Sequence, residues 1–315
     1  MKFLIGSSDS GQRLDKFIKR KVFKFTQSLL EKFSRKGIIK LNGKKTKLSY
    51  KVKIGDTIII PNLEIEKKEE KKILKHGLKE LTKKIIKNIL FKDSEKIIIN
   101  KPSGLAVHSG SKILLSLNDV LKDLRFGVNE DPRIVHRIDK QTSGLLILAR
   151  NYKATVELTN QFKEKKINKF YLAILNGVPK KNSGEITNKI RVKKQKDALT
   201  KYFVLNKINK YSLILIKPET GRKRQIREHF FNIDCPIIGD KKYYKKLDKN
   251  INIDSRKLYL HAYKLSIIKK NGKTQNFTAP IPDHIKKFCY LYKIIINKND
   301  INKLIISNIL KGAKN

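Results

Sequence analysis

His136, Arg137, Asp139 and Lys140 stand close together, followed by Thr142-Ser143-Gly144 and the apolar run Leu145 to Ala149. A carboxylate between two cations is favoured in its ionised form by their charge. Held that way, it can act as a nucleophile. Thr142-Ser143-Gly144 reads as a polar turn and Leu145 to Ala149 as a buried strand, which predicts Asp139 at a sheet edge. A structural ion pair beside a turn has the same composition, and on residue types alone it is the commoner arrangement.

Three further segments hold residues with chemical potential. Asn100-Lys101-Pro102-Ser103-Gly104-Leu105-Ala106-Val107-His108 ends a strand and starts a loop. Lys169-Phe170-Tyr171-Leu172-Ala173 puts a Tyr at the opening of a strand, where core packing is the usual role. Thr220-Gly221-Arg222-Lys223-Arg224-Gln225-Ile226-Arg227-Glu228-His229 concentrates three guanidinium groups. Arg supplies a planar, bidentate donor for carboxylate, phosphate or base edges. Only 12 of the 73 basic residues are Arg, and Arg133, Arg137, Arg150, Arg222, Arg224 and Arg227 fall in two short windows.

The string His136 to Gly144 resembles the HRxDxxTSG motif of the RluA/RluC family of pseudouridine synthases, which isomerise selected uridines in RNA. Six of its nine positions are fixed, so a chance match is improbable. The resemblance implies that Asp139 is the catalytic nucleophile, that Tyr171 of a Lys-x-Tyr motif packs on the target uracil, and that Arg227 pairs with Asp139. Residues 220–229 resemble the family motif TGRTHQIRVH, departing from it at Lys223, Arg224 and Glu228. Residues 100–108 resemble the family's first motif, which implies support for the active-site floor and no chemistry of their own. Cys235-Pro236-Ile237-Ile238-Gly239-Asp240 and Leu258-Tyr259-Leu260-His261-Ala262 are weaker matches. The likeness runs from about residue 10 to about 285 and is greatest to the branch acting on several uridines of large-subunit ribosomal RNA.

Pseudouridine formation breaks the C1′–N1 bond, turns the uracil and rejoins it through C5. The net change is an isomerisation, so no cofactor and no metal are expected. Asp139 has three routes open to it: attack at C1′, removal of the 2′ proton, or addition at C6. The target base must leave the stack, and a replacement π-face then makes physical sense. By the resemblance, Arg137 fills the gap left behind, with Arg222 and Arg224 as further RNA-binding residues.

The formal charge of +45, from 73 basic and 28 acidic residues, calls for a polyanionic partner. Lys, Ile and Asn are over-used even in the tail, so the size of the charge overstates its meaning. Two cysteines make no disulfide framework or CxxC pair. The N-terminus lacks a signal-peptide pattern and no apolar run approaches the ~20 residues of a membrane span. A cytoplasmic monomer is expected, with large-subunit ribosomal RNA as partner and no membrane.

The expected fold class is α+β: a mixed, largely antiparallel sheet flanked by helices, after a small α/β module. Residues 1–62 carry two short amphipathic helices and a small sheet, resembling the alpha-L RNA-binding module. Arg13, Lys16, Arg20, Arg35 and Lys36 are its expected RNA-binding residues. Residues 63–88 read as a charged linker, solvated or an exposed helix. Residues 89–289 form the expected catalytic domain, and 290–315 a Lys/Ile/Asn-rich tail. Weaker readings are a synthase acting on another RNA such as tRNA, a non-catalytic ribosome-assembly protein that kept the fold, and a DNA-binding protein. The last lacks a helix-turn-helix or zinc signature.

Overall fold

A computed structural model describes residues 1–21, 27–60, 76–109, 113–190, 196–243, 254, 257–268 and 273–312. The charged run 63–75 of the expected linker lies outside them. The chain divides into two compact units, Met1–Gly77 and Leu78–Asn315.

In the first unit, helix α1 (Leu14–Lys21) turns Leu14, Phe17 and Ile18 inward and leaves Lys16 and Arg20 exposed. Helix α2 (Gln27–Arg35) buries Leu30 and Phe33. Both lie in one apolar core with a four-stranded sheet of β1 (Lys2–Leu4), β2 (Lys40–Leu41), β3 (Lys44–Lys45) and β4 (Thr57–Ile59), in the order β1-β4-β2-β3. The turn Asn42-Gly43, with φ of 49° and 78°, joins β2 to β3, as the paired left-handed residues of a tight hairpin require.

The second unit is built on a ten-stranded sheet. Its main path runs β10 (Ser183–Ile190), β11 (Lys196–Ile208), β12 (Tyr211–Pro218), β9 (Ile167–Asn176), β13 (Leu260–Ile268), β8 (Ser143–Ala149), β6 (Lys96–Lys101), β5 (Ile89–Lys92). Strand β14 (Thr274–Thr278) pairs with β13 and β7 (Arg133–Ile134) with β8. Pairing is antiparallel except between β13 and β8. The sheet is thus mixed and largely antiparallel, the expected class.

Burial on both faces explains the unbroken apolar runs Ile97–Ile99 of β6 and Leu145–Ala149 of β8. Ile97, Ile99, Leu146 and Leu148 face one core, while Ile98, Leu145, Ile147 and Ala149 face another. Helix α4 (Tyr152–Lys163) covers the second face with Ala154 and Leu158. Strands buried on both faces lose the polar alternation of a half-exposed sheet. Because β8 is an interior strand, Asp139 precedes its N-terminal end and does not lie along a sheet edge, correcting the expectation from sequence.

Two boundaries also differ from the sequence reading. A helix over 76–87, here α3, turns Ile85 fully inward with Leu78 and Leu81 packed on the same core. The end of the expected linker therefore belongs to the second unit. So does the expected tail: after α6 (Asp283–Leu291), helix α7 (Lys298–Gly312) buries Ile301 and Ile305 completely. At the residue spacing of these apolar side chains one helical face docks into the core.

Gly144 fixes how the sheet passes the site. Its φ is +107°, and a Cβ there would lie 2.2 Å from the backbone oxygen of Ala262 on β13. Only glycine permits β8 and β13 to come together in parallel at this point.

Candidate active site

Asp139 sits in the loop before β8, and that loop is held by its backbone. The Asp139 carbonyl accepts from Thr142 N–H at 3.1 Å, while Gly104 N–H donates to the Lys140 carbonyl at 2.8 Å. Ser103 Oγ donates to the Gln141 carbonyl at 2.7 Å. Lys101, fully buried, donates to the carbonyls of Pro102, Leu105 and Lys140 at 2.9, 2.8 and 3.2 Å. Burial draws the Lys101 pKa down to about 7, opposed by the charge of Asp139. The support expected from the 100–108 segment is thus three side-chain and backbone ties to the two residues after Asp139. His108 is exposed and lies outside the cleft lining.

The carboxylate itself faces a cleft of about 580 Å³ and is one-fifth exposed. Its side-chain contact is a single bond from Arg227 Nη1 at 3.4 Å. The guanidinium's stronger partner is Asp240, which takes Nε and Nη2, each at 2.7 Å. Asp240 is almost wholly buried and also accepts the N–H groups of Lys242 at 3.0 Å and Tyr243 at 3.2 Å. Burial alone would lower the Arg227 pKa, but the hydrogen bonds and charge of Asp240, then Asp139, hold it above its ordinary value. The fork therefore goes to Asp240 and one free arm reaches Asp139. This refines the expected Arg227–Asp139 pair. Asp240 was missed as a functional residue: its segment, Cys235 to Asp240, was a weak family match, and that match carried no role for the carboxylate. The preceding Gly239 has φ +77°, and a Cβ there would meet the Lys257 carbonyl at 1.9 Å, so the turn that aims Asp240 needs glycine.

Helix α5 (Gln225–Asn232) carries Arg227 and is anchored at its start. Gln225 Oε1 accepts from Thr220 Oγ1 at 2.7 Å and Arg222 N–H at 3.0 Å, while its Nε2 donates to the Leu199 carbonyl and Thr200 Oγ1, both at 2.9 Å. Thr220 and Gln225 thus tie the helix to β11. Arg224 takes the left-handed conformation (φ 59°) at the N-cap. Arg222 and Lys223 are exposed, and all three line the cleft.

Tyr171 on β9 lines the same cleft and is nearly buried. Burial, then the charge of Asp139, pushes its phenol pKa well above the ordinary value. The ring is therefore a neutral platform whose hydroxyl keeps its proton. His136 is also neutral: burial, then Lys169, lowers it to about 3. Its Nε2 accepts from Ile147 N–H at 2.9 Å and its ring stacks on Phe162 at 4.3 Å. That makes His136 a brace for β8.

Arg137 is exposed at the cleft. The other lining charges are Lys163, Lys165, Lys169, Lys217, Lys223 and the three Arg of the 222–227 segment, against the carboxylates Asp139 and Glu219. A concave wall with this excess of cations suits a polyanionic ligand. Not every clustered Arg serves it. Arg150 donates to the Asp93, Arg125 and Phe126 carbonyls, and Arg133 pairs with Glu130 at 3.0 Å.

In the first unit Lys16, Arg35 and Lys36 are exposed, with Arg35 Nε within 3.4 Å of the Glu31 carbonyl. Arg13 forks onto Asp15 at 3.1 and 2.9 Å, and Arg20 pairs with Asp9. Those two guanidinium groups face solvent with part of their charge already matched.

The chain thus holds a small unit with exposed basic residues and a second unit with an acid in a largely cationic cleft. Residues 95–232 match the family model for RNA pseudouridylate synthase, and residues 12–58 match the S4 domain. The ribosomal large subunit pseudouridine synthase C of Rickettsia felis is 39% identical over 289 residues, 86% of this chain and 93% of that protein. The protein of the same name from Buchnera aphidicola subsp. Schizaphis graminum is 34% identical over 294 residues, covering 88% and 92%. Human RNA pseudouridylate synthase domain containing 4 superposes with a TM-score of 0.63 at 26% identity, over 71% of this chain and 99% of that one. This chain belongs to the RNA pseudouridylate synthase family, enzymes that isomerise uridine to pseudouridine. Among the described residues no helix is long and apolar enough to cross a membrane.

Proposed function

We propose that the chain converts uridines of large-subunit ribosomal RNA to pseudouridine in the cytoplasm, as a monomer and without a cofactor, with Asp139 as nucleophile. The observation that carries this reading is the placement of Asp139: a partly exposed carboxylate on a braced loop, in a cleft shared with Tyr171 whose charged lining is mostly cationic. The names of the relatives from Rickettsia and Buchnera support the choice of RNA. The target uridine leaves its stack, its base lies on the Tyr171 ring, and Arg137 enters the vacated space. Asp139 engages the nucleoside while Arg227 holds its rotamer. The C1′–N1 bond breaks, the uracil turns, C1′–C5 forms, the C5 proton leaves and N1 ends protonated, so the proton count closes. The balance closes without an oxidant, reductant or nucleotide. Arg222 and Arg224 at the cleft, and Arg13, Lys16, Arg20, Arg35 and Lys36 in the S4 module, contact RNA backbone.

Mapping pseudouridines in ribosomal RNA of cells with and without this protein tests the reading. Sites in the large-subunit RNA should disappear and return on complementation. Loss of sites in tRNA or small-subunit RNA alone would overturn the target.

A further inference from the structure

Among the described residues of the catalytic unit, several lysines withdrawn from solvent have protein partners. Lys96 is paired with Asp93 at 2.8 Å. Lys217 is paired with Glu219 at 3.2 Å. Lys101 gives its three protons to three carbonyls. Lys169 differs. It is half-buried in the cleft wall, and among the described residues its ammonium makes no hydrogen bond and no ion pair. Glu219 is the opposing charge that Lys169 feels, but Glu219 is already engaged by Lys217. Burial, only partly offset by Glu219, lowers the Lys169 pKa. A cation withdrawn from water without a partner is costly, and such a group is stabilised when an anion arrives.

Position says which anion. Lys169 and Tyr171 are two apart on β9, so both project from the same face, about 7 Å apart along the strand. A Cβ on Gly221 would lie 4.0 Å from Lys169 Nζ, which places the ammonium beside the Thr220–Arg222 loop at the cleft wall. A nucleotide whose base rests on Tyr171 and whose sugar meets Asp139 extends its phosphodiester along that wall. We propose that Lys169 binds the phosphate adjoining the target uridine, fixing the nucleoside's sugar against Asp139. This rests on the reading of Asp139 and Tyr171 above. It makes Lys169 a positioning residue, distinct from the exposed cations that contact RNA elsewhere.

The test uses the full chain and a short RNA carrying one mapped target uridine, read by tritium release from C5-labelled uridine. In separate RNAs the linkage 5′ or 3′ of that uridine is replaced by a neutral methylphosphonate. Lys169→Met should lose about 10- to 100-fold in kcat/KM on native RNA, the range for one charged hydrogen bond. One of the two neutral linkages should cost the wild type a similar factor, and Lys169→Met should then lose nothing further, because both changes remove one contact. Lys169→Arg should keep most activity and keep its sensitivity to that linkage. Without RNA, Lys169→Met should melt no lower than the wild type. Additive losses at both linkages would overturn the proposal and point to a base contact. A lowered melting temperature with unchanged kcat/KM would also overturn it, leaving Lys169 a structural cation. Should Asp139→Asn stay active in the same assay, the nucleophile assignment fails instead, and the linkage cycle still reports on Lys169.

Discussion

Cations serve the two units of this protein in opposite ways. In the catalytic unit Arg227 is buried, and each of its three guanidinium nitrogens has a set acceptor on Asp240 or Asp139. In the S4 module Lys16 and Lys36 stand in solvent, and Arg13 and Arg20 are about half exposed even with their partners. Buried ion pairs have geometry but little tolerance, since losing one partner strands the other. Exposed charges act through the field they sum to, which salt screens and no single residue dominates. Changes near Asp139 should therefore be steep and specific, and changes in the module shallow and salt-dependent.

The sharpest contrast lies within the Arg227 cluster. Asp240→Asn should destabilise the fold by about 3–5 kcal/mol, the range for breaking a buried pair, read by thermal or urea unfolding. In the molecules that remain folded, Arg227 has lost the partner of its fork, and kcat/KM should fall. Arg227→Lys keeps the charge but not the fork, so it should lose a similar factor in kcat/KM. A folded Asp240→Asn with wild-type kcat/KM would mean that Asp240 does not govern how Arg227 meets Asp139.

A smaller effect should attend Tyr171. Tyr171→Leu removes the stacking face and should weaken binding of target RNA by about 1–3 kcal/mol, as for one base on an aromatic ring. Tyr171→Phe keeps the ring. It should bind RNA normally and stall after glycosidic cleavage if the hydroxyl passes the C5 proton on, a stall visible as trapped intermediate in single-turnover assays. Normal turnover by Tyr171→Phe would leave the ring as the residue's whole contribution.

Lys101 offers a test through pH. Its pKa is about 7 in the fold and near 10.4 in an unfolded chain. As pH falls from about 10 the unfolded chain takes up that proton first, so stability declines down to about pH 7 and then levels off. Lys101→Met should flatten this slope in urea titrations. An unchanged slope would mean the ammonium keeps its proton throughout.

The shallowest effects belong to the module. Lys16→Ala and Lys36→Ala should each lower the slope of log affinity against log salt by about 0.7–0.9, with base choice unaffected. Arg13→Ala and Arg20→Ala should change it less, because Asp15 and Asp9 already neutralise part of their charge. Equal changes at all four positions would remove the distinction drawn here.

Sequence made Asp139, Tyr171 and Arg227 visible because each stands in a short local motif, and the cleft brings all three together. It hid what depends on long-range approach. Asp240 lies thirteen residues from Arg227, in a weakly matching segment to which the sequence assigned no role. Lys101 looks like one Lys among many until its three acceptors are seen. The sheet class was legible from closely spaced apolar runs. An exposed helix was one reading of 63–88, but its charged residues concealed Leu78, Leu81 and Ile85, which dock α3 on the core. In α7 an Ile-rich composition that resembles genomic bias also supplies Ile301 and Ile305 to the core.

The central claim is that Asp139 is the nucleophile and that the surrounding cations only bind and position. Tritium release from RNA containing C5-tritiated uridine, measured for Asp139→Asn beside its RNA affinity, tests it most directly. The account predicts release below detection with binding within a few-fold of the wild type, since the amide keeps shape but loses charge and nucleophilicity. Substantial turnover by Asp139→Asn would contradict it.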